Sequence, residues 1–574
     1  MRFRITSAAC VARLFTIVVW VSTAGAQAPV LDPLLQQKAA LLTGQSKVVV
    51  VASPGVSLDA LGLVIQTLGG TLGRVLPIIN ARAATIPNTS LNALASNPAV
   101  QHASLDRLLV GAMERTGPTI GAPAVRQELG VDGTGIGVAV IDSGVTPWHD
   151  DLASSFEPPS QRVDRFVDFV SGSTAPLDPY GHGTHVSGII AGSGFDSGGA
   201  RSGIAPGARL TVLRVLDGNG SGRISDVIAA LDYVVAHRTE LNIRVVNLSV
   251  ATGVYESYNT DPLTQAAKAA VNAGIVVVAS AGNNGRGPQG ATQYGGVTAP
   301  GNAPWVLTVG ASSTMGTIDR SDDTVAAFSS RGPTAIDHAA KPDLVAPGVG
   351  TESLSAPNST LYNRFSAYLL PGTAATSYPP YLSLSGTSQA APVVTGTVAL
   401  MLQANPALTP NAVKAVLQFT SQVYANYNPM TEGAGFLNAK GAVELAHYLA
   451  APSAYAYPDD TIWSRQVFWG THRIHDGLLT SDANAWQIGT EWGATASASG
   501  QNIAWGVLCA ATCGVWGAAD GDTVVWGTSA DGDTVVWGTS DGDTVVWGTT
   551  DGDTVVWGTS CDDPSCQPVI WHGQ

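Results

Sequence analysis

Between about Gly117 and Leu449 the chain repeats one pattern, in which short runs of near-continuous Val, Ile and Leu alternate with longer stretches of helical periodicity. The apolar runs are IGVAVID, ARLTVLRVL, IRVVNLSV, AGIVVVASAG and WVLTVGA, and segments such as SDVIAALDYVVAHR and DPLTQAAKAAVNAG lie between them. A strand that is apolar on both sides has no face to give to water. Helical crossovers between such strands lay helices over both faces of a parallel sheet. The fold class that follows is α/β, with a doubly wound, mostly parallel sheet. In such a sheet ligands bind at the carboxyl ends of the strands, so the chemistry is sought there.

The rest of the chain is of different character. At 574 residues it is long enough for several domains. With 45% hydrophobic and 12% charged residues the bulk is too apolar for wholesale disorder. The net charge of -15 argues against a nucleic-acid partner or an anionic membrane surface. Residues 1–26 open with Arg2 and Arg4, run through an apolar stretch to Val21 and close on Ala24-Gly25-Ala26. That is the pattern of a cleaved secretory signal; the apolar run is short for a membrane anchor and is interrupted by Arg13, and no later run is long enough to span. The expected location is secreted or extracellular. From Ser46 to Leu109 the order of strand-like and helix-like segments is β-α-β-β-α-β, which suits a small ferredoxin-like α+β unit.

After Ala450 the composition shifts again. Residues 451–574 hold 15 acidic and 2 basic residues and 11 of the 14 Trp. The sequence DGDTVVWGT recurs from Asp520, Asp531, Asp541 and Asp551, with Trp526, Trp537, Trp547 and Trp557 in register. T-V-V-W favours a strand and D-G-D a turn, so each copy predicts one short strand in a β-rich tail. The paired aspartates read as solvated acidic turns ahead of calcium ligands, and the Trp residues suit a packed ladder, carbohydrate or a second copy of the tail. Cys509, Cys513, Cys561 and Cys566 form an even set which, outside the cytoplasm, suits two disulfides of undetermined pairing; a zinc site is the lesser alternative. The boundaries expected are 1–26, 27–115, 116–450 and 451–574.

Four positions in the α/β region carry reactive chemistry. Asp142 ends a strand, His182 lies between two glycines at a helix start, and Ser388 opens a long apolar helix with Pro392 in its first turn. A serine hydroxyl is a poor nucleophile at neutral pH; it needs a base in reach, and the base needs a carboxylate to fix its tautomer. The oxyanion then formed needs donors placed in advance, which Asn283 and the backbone N–H of Ser388 supply.

The blocks IDSG, HGTHVSG, ASAGNNG and SGTSQAAP, in that order, resemble the signatures of the subtilisin-like serine proteases, with GIAPGARL, FSSRGP, KPDLVAPG and GAGFLNAKGAVELA in support. A serine-carboxyl peptidase is disfavoured, because that family has Glu where His182 stands and Asp where Asn283 stands. The resemblance implies a serine endopeptidase that acts on polypeptides, with Asp142 orienting, His182 as base, Ser388 as nucleophile and Asn283 as oxyanion donor. It implies that substrate adds as a strand between Gly220-Ser221-Gly222 and Ser249-Val250-Ala251, the second departing from a usual closing Gly. It also implies that residues 27–115 are an inhibitory propeptide, an intramolecular partner cut away between about Leu109 and Gly121. No cofactor is required for the chemistry, while structural Ca²⁺ is common among relatives and its ligands are not assignable here. Gln389 stands where many relatives carry Met. His185 reads as structural, and His149, Asp150 and Asp151 as a solvated loop ahead of a metal site. A reading from another class gives the tail the main role, as a surface binding or self-assembly module beside a secondary or silent protease domain.

Overall fold

A computed structural model describes residues 30–508 except 32, 42, 106–112, 154–160, 288–289, 425–426 and 471, together with 524–525, 535–538, 544–547 and 567–568. The signal-like segment, the cysteines of the tail and the fourth Trp repeat lie outside the described residues. Two compact units are present, divided between Leu109 and Val110.

In the first unit α1 (Pro33–Ala39) precedes β1 (Gln45–Ala52), α2 (Leu58–Thr67), β2 (Thr71–Leu76), β3 (Ala81–Pro87), α3 (Leu91–Ala95) and β4 (Val100–Leu105). The strands form an antiparallel sheet in the order β2-β3-β1-β4. Val48, Val50 and Ala52 alternate inward along β1 and meet Leu61 and Ile65 of α2 and Leu91 and Leu94 of α3, a core of this unit's own. Ser57 starts α2 by accepting from the Ala60 N–H.

The second unit opens with α4 (Met113–Thr119) and α5 (Ala122–Leu129). Its main sheet contains β5 (Gly137–Asp142), β6 (Val163–Asp168), β7 (Arg209–Arg214), β8 (Ile243–Leu248) and β9 (Val276–Ser280). After the two-residue β10 (Gln293–Tyr294) come β11 (Leu307–Ser313), β12 (Thr324–Val325) and β13 (Leu344–Pro347). The order is β12-β11-β9-β8-β5-β7-β6, with β13 also on β11, and every pairing is parallel except β11 with β12. Along β5, Val138 and Val140 join one core while Ala139 and Ile141 join another. The second of these is covered by α7 (Ile224–His237) and α8 (Pro262–Asn272). The first is covered by α6 (His182–Ala191), α10 (Thr387–Ala404), α11 (Pro410–Thr420) and α13 (Ala439–Ala450), with α9 (Thr360–Arg364) and α12 (Pro429–Glu432) between them in sequence. Both faces are therefore buried, as the all-apolar strands require. β6 was not among the apolar runs, since its sequence VDRFVD sits at the sheet edge and stays partly exposed.

The compositional break at Ala450 is not a break in packing. Trp463, Trp469, Trp486 and Trp492 are buried in the same core as α10, α11 and α13, and the ammonium of Lys414 on α11 lies 4.4 Å from the Trp492 ring centre. Farther along, Val524–Val525, Val535–Gly538 and Thr544–Trp547 pair antiparallel, one strand from each of three repeats. Among the described residues no helix is long and apolar enough to cross a membrane.

Candidate functional site

The neighbouring strands β9, β8 and β5 end together, and three of the expected residues stand on or just beyond those ends. Asp142 closes β5 and is fully buried. Both of its oxygens face Nδ1 of His182, at 2.8 and 2.9 Å, and Oδ1 also accepts from the Ser143 N–H at 2.7 Å. His182 is the first residue of α6, whose opening backbone N–H groups have no partners within the helix. Ser143 Oγ accepts from the Gly183 N–H at 2.9 Å, and Asp178 accepts from the N–H groups of Gly181 (2.7 Å) and Thr184 (2.8 Å). These bonds clamp the start of α6 to the end of β5, which fixes the imidazole against the carboxylate.

The glycines flanking His182 are met closely by segments from elsewhere in the chain. A Cβ on Gly181 would lie 2.3 Å from Ser359 Oγ, and one on Gly183 would lie 2.2 Å from the Gly144 carbonyl oxygen, so both permit close approach of neighbouring chain.

Ser388 is the second residue of α10 and is half-buried. Its hydroxyl donates to the Ser249 carbonyl at 3.2 Å, just past the end of β8. Pro392 is the sixth residue of α10, beyond the first turn expected for it. Proline has no N–H, so it leaves the Ser388 carbonyl, four residues earlier, without its helical donor. Ser249 Oγ fills that place at 2.8 Å and in turn accepts from Asn247 Nδ2 at 2.9 Å. Asn283, three residues beyond β9, has its amide oxygen held by the N–H and the hydroxyl of Thr387, each at 3.0 Å. Its Nδ2 is thereby turned toward the Gly386 side of the helix start. A Cβ on Gly386 would lie 2.8 Å from Gln389 Oε1, 3.5 Å from that Nδ2 and 3.7 Å from the Ser388 nitrogen, so both donors border one small space into which the Gln389 amide oxygen reaches.

Burial alone would lower the His182 pKa, but the charge of Asp142 and its hydrogen bond, with a smaller contribution from Asp178, raise it above the ordinary value. The remaining ring nitrogen, Nε2, is met at 3.3 Å by the side-chain amide of Gln389, which is 3% exposed. Ser388, His182, Asp142 and Asn283, drawn from four distant parts of the chain, thus stand around one helix start and one sheet edge.

Residues 133–443 match the Subtilase family. The chain belongs to that family. Serine protease AprX of Bacillus subtilis is 38% identical over 324 residues, 56% of this chain and 68% of that protein. Subtilisin E of the same species is 31% identical over 387 residues, 66% of this chain and 85% of that protein. The extracellular serine proteinase of a Thermus species is 31% identical over 405 residues, 68% of this chain and 82% of that protein. A solved cold adapted subtilisin-like serine proteinase matches 54% of this chain and 88% of its own at 28% identity, with a TM-score of 0.38. This subtilase is a serine-type peptidase, a hydrolase whose substrates are polypeptides.

Around the site of the subtilase, Gly220, Ser221 and Gly222 follow β7 in a turn in which Gly222 bridges back to Leu216, and Ser221 and Gly222 are exposed. Gly220 has φ 78°, and its open side is filled by the Tyr180 ring, 2.5 Å from where a Cβ would be. Ser249, Val250 and Ala251 run on from β8; Ser249 is buried and Ala251 exposed.

His149 and Asp151, expected in a solvated loop, are fully buried, while Asp150 is exposed. The reason is the strand Tyr381–Leu384 and its lead-in: His149 Nε2 lies 2.9 Å from the Pro380 carbonyl and Tyr381 donates to Asp151 at 2.9 Å. Asp196 is buried beside them, and one ligand atom from each of the three lies within 4.8 Å of the others. One imidazole and two carboxylates fall short of the six to eight oxygens that Ca²⁺ takes, so this donor set does not fit a calcium ion. Burial pushes the Asp196 carboxyl up to about 7 and the His149 imidazole down. Asp178 and Ser143 were missed by sequence reasoning, and Gln389 was noted only as a departure from Met; the signal for Asp178 is an acid shortly ahead of a helix start.

Proposed function

We propose that this subtilase is a secreted serine endopeptidase, matured by removal of residues 27–115, with Ser388 as nucleophile, His182 as general base, Asp142 as its orienting acid and Asn283 as an oxyanion donor. The observation that carries the assignment is the bond of His182 Nδ1 to the buried Asp142 carboxylate beside the start of α10. A carboxylate at Nδ1 keeps the proton there and leaves a lone pair on Nε2. Rotation of the Ser388 hydroxyl away from the Ser249 carbonyl turns its proton to that lone pair. Oγ then bonds to the scissile carbonyl carbon as the proton passes to Nε2, and Asp142 stabilises the imidazolium. The charge gathering on the carbonyl oxygen falls in the space bordered by Asn283 Nδ2 and the Ser388 N–H, at the positive end of α10. Collapse breaks the peptide bond and sends the proton to the leaving amine; water repeats the sequence on the acyl-enzyme. The edges 220–222 and 249–251 would align the substrate as an added strand.

Secretion is supported by the signal-like composition of residues 1–26, and maturation by the separate core of the first unit. We place the cut ahead of Thr119, because that residue donates to the Thr317 carbonyl at 3.3 Å within the second unit. Replacement of Ser388 tests the assignment. Ser388→Ala should abolish casein hydrolysis and self-processing together; retention of both would remove Ser388 from the chemistry. Asn283→Ala should lower kcat by about 10²- to 10³-fold.

A further inference from the structure

We propose that Gln389 is a positioning residue for His182: between turnovers its side-chain amide holds the imidazole with the proton on Nδ1 and the lone pair on Nε2. The inference rests on His182 being the general base. Three observations carry it. The Gln389 amide nitrogen is 3.3 Å from His182 Nε2. Gln389 is 3% exposed, so the amide has little water to turn to. Gly386, which lacks a side chain, leaves the space that the amide oxygen occupies, since a Cβ there would lie 2.8 Å from Gln389 Oε1.

The chemistry fixes which end of the amide meets the ring. Asp142 takes the Nδ1–H, so the neutral ring offers only a lone pair at Nε2; an amide oxygen there would set lone pair against lone pair, while the NH₂ donates. A donor on that lone pair favours the neutral ring and opposes the pull of the neighbouring charges. The groups facing the imidazole are Asp142 on β5, Asp178 and Tyr180 on the segment before α6, His185 on α6, and Ser388 beside Gln389 on α10. Asp142 and Asp178 draw a proton to the ring. His185 is buried, donates from Nε2 to the Leu382 carbonyl (3.0 Å), and stays neutral because burial pushes its pKa down to about 3. The amide of Gln389 is the neighbour that works against the acids at the reacting nitrogen. Ser388 Oγ needs the same lone pair during attack, so adjacent residues of α10 take turns at one atom: the amide withdraws as the hydroxyl swings in. A methionine at this position cannot donate and would leave the ring held from the Asp142 side alone.

The test compares kcat/KM against pH for the mature wild type, Gln389→Met and Gln389→Glu on a soluble peptide substrate. Loss of the donor in Gln389→Met should move the acid limb up by about half to one pH unit. A carboxylate against Nε2 in Gln389→Glu should move it up by about one unit or more. NMR titration of the His182 ring in Ser388→Ala proteins carrying the same substitutions reads the same shifts without turnover. Limbs and ring titrations that stay put in both variants overturn the proposal, as does a loss of activity that is equal at every pH. Either result leaves the triad intact provided Ser388→Ala is inactive, whereas an active Ser388→Ala removes the triad itself.

Discussion

The break that Pro392 makes in α10 gives the most quantitative handle on how the nucleophile is held. Ser249 Oγ donates at 2.8 Å to the carbonyl that the proline leaves without a helical donor, and the Asn247 amide donates to Ser249 Oγ at 2.9 Å. Ser249→Ala removes the donor to the one and the acceptor of the other in a region where Ser249 is 6% exposed and Asn247 fully buried. A buried polar group left without a partner costs about 1–3 kcal/mol, so we expect a destabilisation of about 2 kcal/mol. In a domain of this size that is a fall in Tm of several degrees. Pro392→Ala returns an N–H to the helix, which can bond the Ser388 carbonyl directly. The proline ring is itself buried, so Pro392→Ala carries its own packing loss; a double-mutant cycle subtracts it. In the Pro392→Ala background Ser249→Ala should cost about 1 kcal/mol less than in the native background, the remainder being the stranded Asn247 amide. All four proteins are made with Ser388→Ala, which keeps the backbone carbonyl and prevents autolysis, and are melted in parallel. Equal losses of Tm in both backgrounds would refute the idea that Ser249 substitutes for the missing helical donor.

Other outcomes follow from the same geometry. Because Asp142 raises the His182 pKa and the base must be neutral, the acid limb of kcat/KM should have its midpoint above 6.5; a midpoint below it would contradict the charge balance around the ring. The stabilisation that His182 draws from Asp142 is full below pH 6.5 and lost as pH rises through the raised value. Glu432 is 1% exposed and burial pushes its carboxyl up to about 9, so it is neutral in the fold while its unfolded counterpart ionises near 4.5. Its contribution therefore declines as pH rises between those values, and Glu432→Gln should raise Tm at pH 8 by more than at pH 5; no difference between the two pH values would show the carboxyl to be charged in the fold. Deletion of 509–574 should leave a folded, active peptidase, whereas deletion of 451–574 strips Trp463, Trp469, Trp486 and Trp492 from the core and should give insoluble protein; a soluble, active product ending at residue 450 would contradict that packing. Gln389 offers no oxidisable sulfur beside the reacting groups, so activity should outlast dilute peroxide better than in relatives with Met there, and rapid inactivation would count against it.

The parts of this molecule that could be read from the sequence are those whose cause is local. Strands β5, β8 and β9 announce themselves because burial on both faces favours runs of Val, Ile and other apolar residues, whereas β6 at the edge carries Asp164 and Arg165 and does not. The reactive residues were legible through the short blocks around them, since the turn at a strand end and the opening of a helix constrain several consecutive residues. Burial decided by a distant segment was not. His149 and Asp151 are polar neighbours in a run that looks solvated, and only the arrival of Pro380 and Tyr381 encloses them. The Trp residues of 463–492 share the acidic composition of the repeats that follow, so composition joined them to the tail, while packing joins them to α11 and α13. The glycines beside His182 were visible but their purpose was not, because the atoms they accommodate belong to Ser359 and Gly144.

The same distinction explains why Gln389 and Ser249 carry more than their positions in the motifs suggest. A motif records which residues stand next to the nucleophile along the chain. It does not record that α10 begins at the meeting point of β5, β8 and β9, where successive groups at the helix start meet different parts of the chain. There the Thr387 N–H goes to Asn283, the Ser388 carbonyl to Ser249, and the Gln389 amide to His182, at 3.0, 2.8 and 3.3 Å. Three successive residues of one helix turn thus bind the three other parts of the site, so a shift of the helix start moves the hydroxyl against base and oxyanion donor together. The hydroxyl of Ser249 is what lets a proline be tolerated at the sixth position of α10, and its loss should therefore be felt both in Tm and in the placement of Ser388.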